Sequence, residues 1–392
     1  MPPSTEIRTA LAQGPTAITD LLAQLSPAEN AQPPVLVSVF ASAVFPLQDV
    51  LASVQQAWPT ATVIGASSAG EFSESQETGK AISAWAIWGD FEVQAAIASN
   101  LKEAPEDAVV ELGRRLDKRF EEHPHRVGIL LLDTMSGRGE ETTLLAATLL
   151  GQDEPVRLVG GAAGDDLAMK HTSVGIGAEA REDAVVLAFL HGRHPFGIGV
   201  QHGHRAESRP LSVSRATGNI VHELDGRPAW DVWREEVTAL TSDVDFEAMT
   251  AEELTPFFFT HAASLTSGAE IKVRSPLQRH DDGSLAFACG LPEGAVIRLT
   301  SSDVEQQLGS ARAAAEQARK QLGGRTPAGA LVFDCICRKL ILQDRFGDAI
   351  EAISEALGGV PVAGFETYGE IALDVSDLSG FHNSTTVVLA VG

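Results

Sequence analysis

Apolar residues occur along this chain in two modes, short unbroken runs and runs with helical spacing, and their succession repeats three times. Residues 5–26 place apolar side chains at helical intervals, and the proline-containing stretch 27–34 ends that element. Val35–Phe40 is then a continuous apolar run, as expected of a buried strand. An amphipathic stretch, LQDVLASVQQAW, leads to VIGASSAGEF. The same order begins again at VGILLLDTMSGRG (127–139), passes through ETTLLAATLL and reaches VRLVGGAAGDD. A third copy runs from ALVFDCICRK (330–339) through DAIEAISEAL to VPVAGFETYGEI.

The spacings support a repeat. Ser38 to Gly65 and Asp133 to Gly160 are each 27 residues, and Asp334 to Gly364 is 30. Each copy returns to an apolar strand: AISAWAIW, AVVLAFL and TTVVLAVG. A unit therefore reads strand–helix–strand–turn–strand, with the first two strands parallel because a helix crosses between them. Between the second and third copies, residues 195–300 carry short alternating runs (PFGIGVQHG, PLSVSRATG, SLAFACG) bounded by Gly, Pro and Asp, which predict antiparallel hairpins. A helical stretch over 228–254 interrupts them, and an alanine-rich helix follows over 302–321. Asp303 lies in its first turn and Gly323–Gly324 close it. The expected fold is α/β (mixed α+β): repeated strand–helix–strand–strand units with a hairpin-rich mixed-sheet segment, in two domains over 30–195 and 196–392.

Composition narrows the function. The 392 residues hold 29 Lys+Arg against 53 Asp+Glu, a formal charge of −24. Nucleic-acid binding rests on basic contacts to phosphate, so such partners are not expected. Three cysteines make no disulfide framework and suit a reducing compartment. The N-terminus lacks the basic and apolar regions of a signal peptide, and no apolar run approaches the ~20 residues that span a bilayer. A cytoplasmic protein without membrane contact is expected.

The ordered motifs FASAVF, VIGASSAGEF and LVGGAAGDD, then QHGHR, ELDGRPAWDVW, DCICRK, VPVAGFETYGEI and GFHNSTTVVLAVG, resemble the FIST family, with its N-terminal and C-terminal parts. Cys337 departs from that pattern, where a small residue such as glycine is expected. The resemblance implies a bacterial sensor of small ligands, not an enzyme. Some stand-alone members are haem-binding nitric oxide sensors that regulate a histidine kinase or a cyclic-dinucleotide enzyme. For this chain it implies a small-molecule ligand, such a signalling partner and, as one version, haem b; a homo-oligomer stays open.

Candidate chemistry falls on three groups. His191, His194, His202 and His204 lie close in sequence, and on a strand His202 and His204 would share a face. Either could be an axial haem ligand and His202 a metal ligand, with Gly197, Gly199 and Gly203 permitting close approach and Phe196 or Trp230 as apolar wall. The plain alternative is a strand end with surface histidines. Second, Glu71, Asp165 and Glu370 follow equivalent strands, where turns commonly hold ligands. Arg338, Glu370, Tyr368, Cys335 and Gly364 could bind an amino-acid-like metabolite, or the carboxylates could cap turns. Third, Cys335, in the repeat position of Thr134, could act with His382 as the nucleophile of a hydrolase or transferase; a small buried residue is the alternative. No P-loop, dinucleotide fingerprint, nucleophile elbow or zinc motif is present.

Overall fold

The computed structural model describes residues 4–26, 32–74, 76–116, 118–151, 155–241, 244–267, 270–374 and 380–392. Of the predicted segments, residues 27–31, 242–243 and 268–269 lie outside them. The chain forms three copies of one unit. The first is β1 (Glu6–Gln13), α1 (Ala17–Leu25), β2 (Leu36–Ser42), α2 (Leu47–Ala57), β3 (Thr62–Ser68), a hairpin of β4 (Glu71–Ser73) and β5 (Gln76–Thr78), and β6 (Ala81–Trp88). The second is β7 (Phe91–Ser99), α3 (Pro105–Arg115), β8 (His125–Leu132), α4 (Gly139–Leu150), β9 (Leu158–Ala162), the hairpin β10 (Val174–Ile176) and β11 (Glu179–Arg181), and β12 (Ala184–Gly192).

The third unit starts with β13 (Gly197–His202) and is then interrupted by an insert. The insert contains β14 (Arg205–Ala206), β15 (Leu211–Thr217), β16 (Ile220–Leu224), β17 (Arg227–Pro228), α5 (Ala229–Leu240) and α6 (Ala251–Thr260). It continues with β18 (Ala263–Ser267), β19 (Glu270–Arg274), β20 (Pro276–Arg279), β21 (Leu285–Phe287) and β22 (Val296–Ser301). The unit resumes with α7 (Val304–Lys320), β23 (Gly329–Cys335), α8 (Ile336–Leu342), α9 (Phe346–Ala356), β24 (Val362–Thr367), the hairpin β25 (Glu370–Leu373) and β26 (Phe381–His382), and β27 (Thr385–Val391).

Each unit builds one sheet, and the units exchange hairpins in a ring. The sheet orders are β1-β6-β2-β3-β10-β11, β7-β12-β8-β9-β25-β26 and β13-β27-β23-β24-β4-β5. In each, the two strands joined by the crossover helix (β2 and β3, β8 and β9, β23 and β24) pair in parallel. The outer edge is closed by the hairpin of another unit: the second serves the first, the third serves the second, and the first serves the third. The repeated glycines set the spacing. Gly65, Gly160 and Gly364 lie opposite Val39, Leu130 and Val332. A Cβ there would stand 2.5, 1.9 and 1.8 Å from the facing carbonyl oxygen.

The inner faces of the three sheets share one core, in which Phe40 stacks on Phe365 at 4.2 Å and meets Phe333 edge-on at 6.2 Å. The outer faces are covered by α1 and α2, by α3 and α4, and by α7 and α9. This is why the long strands read as unbroken apolar runs: they are buried on both sides. The insert has its own core around stacked Trp230 and Trp233, with Phe246 and Phe258. Among the described residues no helix is long and apolar enough to cross a membrane.

Four sequence expectations change. Helical spacing over 5–26 holds only for Ala17–Leu25, because Glu6–Gln13 pairs along its whole length with β6. The run PFGIGVQHG belongs to the third unit's sheet, where β13 pairs with β27. Cys335 does not match Thr134: it pairs with Thr367, three residues past Gly364, and in the second unit the corresponding register belongs to Asp133. Asp303 is the N-cap of α7, forming a capping box with Gln306.

Candidate functional site

The loops that follow β3, β9 and β24 meet at the centre of the ring. Ala69 N–H donates to the Glu366 carbonyl (3.0 Å), Gly164 N–H to that of Ser67 (2.9 Å) and Tyr368 N–H to that of Ala162 (3.1 Å). These are equivalent positions in the three units, so the contact is cyclic. Around it lie the acidic turns. Glu71 Oε1 is hydrogen-bonded to Ser68 Oγ, and its Oε2 accepts from Ala81 N–H at 2.9 Å. Glu370 repeats the arrangement, with Thr367 Oγ1 at 2.6 Å and Thr385 N–H at 3.2 Å. Burial pushes the Glu71 carboxyl up to about 8 and raises that of Glu370 well above the usual range. Burial thus favours the uncharged form of both, and each pins the return strand to the turn.

Asp165 behaves differently. Burial opposes its charge, but N–H groups of Lys170, His171 and Met169 and the Tyr368 hydroxyl outweigh that and hold its pKa down. Tyr368 Oη donates to Asp165 at 2.7 Å and accepts from Leu167 N–H at 2.7 Å. Arg338 is fully buried and already occupied: Nε meets Asp334 Oδ1 at 2.7 Å and Nη1 meets Ser310 Oγ at 2.7 Å and Gln307. Gly364 is a packing glycine whose carbonyl accepts from Ser83 Oγ at 2.7 Å. Cys335 is buried beside Cys337 and Glu370, and burial raises its thiol pKa well above the ordinary value. His382 faces the Ala372 carbonyl at 3.3 Å, and burial pushes its pKa down to about 3. The thiol and imidazole thus have other partners.

The histidines are also separated in role. β13 ends at His202, so His204 lies beyond the strand; the two rings are 6.2 Å apart. His204 is 5% exposed, its Nδ1 is 2.9 Å from Thr300 Oγ1, and burial pushes its pKa down to about 3. The glycines of β13 seat α7: a Cβ on Gly197 or Gly199 would stand 2.0 or 1.8 Å from the carbonyl of Ala318 or Ala314. Phe196 belongs to the inner core, near Phe91. Among the described residues no group of three or more His, Cys, Asp or Glu is placed to hold a metal ion.

A cleft of about 820 Å³ opens where the second unit, the insert and the third unit meet. The second unit contributes Thr134, Gly139, Glu140, Leu144 and Leu145; the insert contributes Gly218, Asn219 and Cys289. The third contributes Tyr368 and Phe381. Phe381 is lodged between Gly139 and Gly369, where a Cβ would stand 2.7 and 2.4 Å from its ring. An ion pair ties the insert to the first turn of α4: Arg274 Nη2 meets Glu140 Oε1 at 2.6 Å. Arg274 is 2% exposed and its Nε has no hydrogen-bond partner, whereas Glu140 is partly open. Burial pushes the Cys289 thiol up to about 11, so it stays protonated at neutral pH. Volume, apolar walls and few polar groups match a small-molecule site. Of the residues nominated from the sequence, Tyr368 alone lines it. Glu140, Arg274 and Cys289 were missed, and only the glycine turns at Gly218 and Gly290 hinted at a loop cluster there.

Comparison with known proteins gives similarity along most of the chain. A profile of the FIST N domain matches residues 35–227 and one of the FIST C domain matches 229–373, with the border inside the insert. An uncharacterized protein of Methanocaldococcus jannaschii is 25% identical over 166 residues, 41% of this chain and 32% of that protein. One of Mycobacterium tuberculosis is 26% identical over 255 residues (64% and 65%), and one of Mycobacterium bovis 30% over 173 residues (44% and 44%). The chain thus spans from about a third to just under two thirds of these relatives. A solved cyanuric acid hydrolase from A. caulinodans covers 99% of both chains at 9% identity, with a TM-score of 0.30 that supports no argument.

Proposed function

The chain belongs to the FIST family, and on that premise we propose that it senses a small ligand in the cleft between the second unit, the insert and the third unit, and signals to a partner protein. FIST domains are associated with sensory signalling. The observation that carries the reading is the cleft itself, lined by Glu140, whose carboxylate pairs with the buried Arg274 of the insert. An amino-acid-like metabolite suits it: Glu140 would take the amine, Arg274 the carboxylate, and Leu144, Leu145 and Phe381 the side chain. This moves the ligand away from Arg338 and Glu370, whose hydrogen-bonding groups are already used. A ligand carboxylate on Arg274 would compete with Glu140 for this tie between the insert and the second unit. Occupancy would then shift the population of insert positions, which a histidine kinase or cyclic-dinucleotide enzyme would read.

The reading is tested by thermal shift against an amino-acid panel. A ligand at a hundred times its Kd stabilises by about 2.7 kcal/mol. Leu145→Trp, which fills the cleft, should abolish the shift; an unchanged shift in that variant places binding elsewhere and defeats the proposal.

Haem, the version implied by resemblance, gains little support from the surroundings of the nominated residues. His204 is enclosed, the glycine face of β13 carries α7, and Phe196 lies six residues from His202, about 20 Å along a strand. Haem titration should give no Soret band that depends on His202; a band lost in His202→Ala would restore the haem reading.

A further inference from the structure

A second cavity, of about 460 Å³, lies between α3, the end of α4 and the sheet beneath them. Its apolar wall includes Val109, Leu149, Leu150 and Phe189, and its charged groups are Arg114, Arg119 and Arg126. Among the described residues no carboxylate lines it. That is a rare grouping in a chain with 29 basic and 53 acidic residues. A neighbouring arginine outside the cavity is matched, Arg115 with Glu111 at 2.5 Å. The three in this cavity have no carboxylate partner among the described residues.

Arg126 is the centre of the arrangement. It comes from β8, opposite His191 on β12, and its guanidinium lies 4.4 Å from the Phe189 ring centroid. Gly128 leaves room for that ring, since a Cβ there would stand 3.0 Å from it. The Nη2 of Arg126 is buried without a hydrogen-bond partner. An orphaned buried donor is costly, so an acceptor delivered there would be favoured. His191 does not supply it, and burial, with Arg119 and His123 adding to the effect, pushes its pKa down to about 4 and keeps it neutral.

We infer that this cavity binds an amphipathic anion: a carboxylate or phosphate monoester carrying a short alkyl or aryl group. The planar guanidiniums match such a head group, and the apolar wall removes the tail from water. The site is separate from the sensory cleft in its lining residues, so it stands or falls independently of that reading.

The test is calorimetric titration of the full chain with octyl phosphate and octanoate at low and high salt, with octanol and octyltrimethylammonium as controls. Both anions should bind saturably and more weakly at high salt, and the controls should not. Arg126→Gln should weaken binding about ten-fold or more. The exposed-rim variant Arg119→Glu, which cannot unsettle the core, should also weaken it. Octanol binding as tightly as octyl phosphate would reduce the site to an apolar crevice. Unchanged affinity in both variants, or no saturable binding, overturns the assignment.

Discussion

The neutral carboxyl of Glu71 gives a sharp test of how the turns hold the ring together. In the folded chain it keeps its proton up to about 8, whereas the ordinary value is 4.5. Between these values the unfolded chain has released the proton and the folded chain has not, so stability falls as pH rises. At full effect the slope is about 1.4 kcal/mol per pH unit, with an upper bound of about 5 kcal/mol across the window. Glu71→Gln mimics the protonated acid: its amide can donate to Ser68 Oγ and its oxygen can accept from Ala81 N–H. The variant should match the parent near pH 5, exceed its stability near pH 8, and show a shallower pH profile between. Urea midpoints at several pH values, read by tryptophan fluorescence, would measure this. Parallel profiles, or a variant less stable at pH 8, would show that the ionised form belongs to the fold and refute the reasoning.

Three further outcomes follow from the packing. Gly160→Ala and Gly364→Ala should each cost at least about 1–3 kcal/mol, because the new methyl meets a backbone carbonyl, while Gly79→Ala in open space should be near neutral in thermal melts. Arg338→Met should destabilise by about 3–5 kcal/mol by leaving Asp334 buried without its partner, and adding Asp334→Asn should recover part of that; no recovery would place the loss in packing instead. Cys335 should resist alkylation at neutral pH until urea unfolds the chain, as its burial and raised pKa require; rapid modification of the native protein, followed by mass spectrometry, would reopen thiol chemistry.

The threefold repeat was legible because its inner strands are apolar on both faces and its glycines follow the first apolar run at a similar distance, 27 to 30 residues. The first strand of each unit was not. EIRTALAQ spaces its apolar residues ambiguously, and only the long partner strand Ala81–Trp88 makes it a strand. β13 was recognised as an alternating run but grouped with the insert, since the insert separates it from its own helix. The hairpin exchange left almost no trace, because strands of two to four residues carry little pattern. The site was harder still. Tyr368 stood out beside a glycine turn, but its companions come from residues 132–148, 162, 218–219, 288–290 and 381, which no local spacing connects. Arg338 and Glu370 looked chemical because they are polar residues in apolar surroundings; the fold uses that polarity for its own hydrogen bonds.

The exchanged hairpins also set an order on synthesis. β4 and β5 emerge early, but their partner β24 lies about 290 residues later. At about 5–20 residues per second, that gap is about 15–60 s of translation. Throughout it the hairpin carries Phe72, fully buried in the finished protein, with no sheet to receive it. Unpaired strand edges of this kind recruit other chains. The nascent protein therefore passes through a long interval in which its first third is formed but not closed, and its yield in a cell should depend on what shields that edge until the last strands arrive.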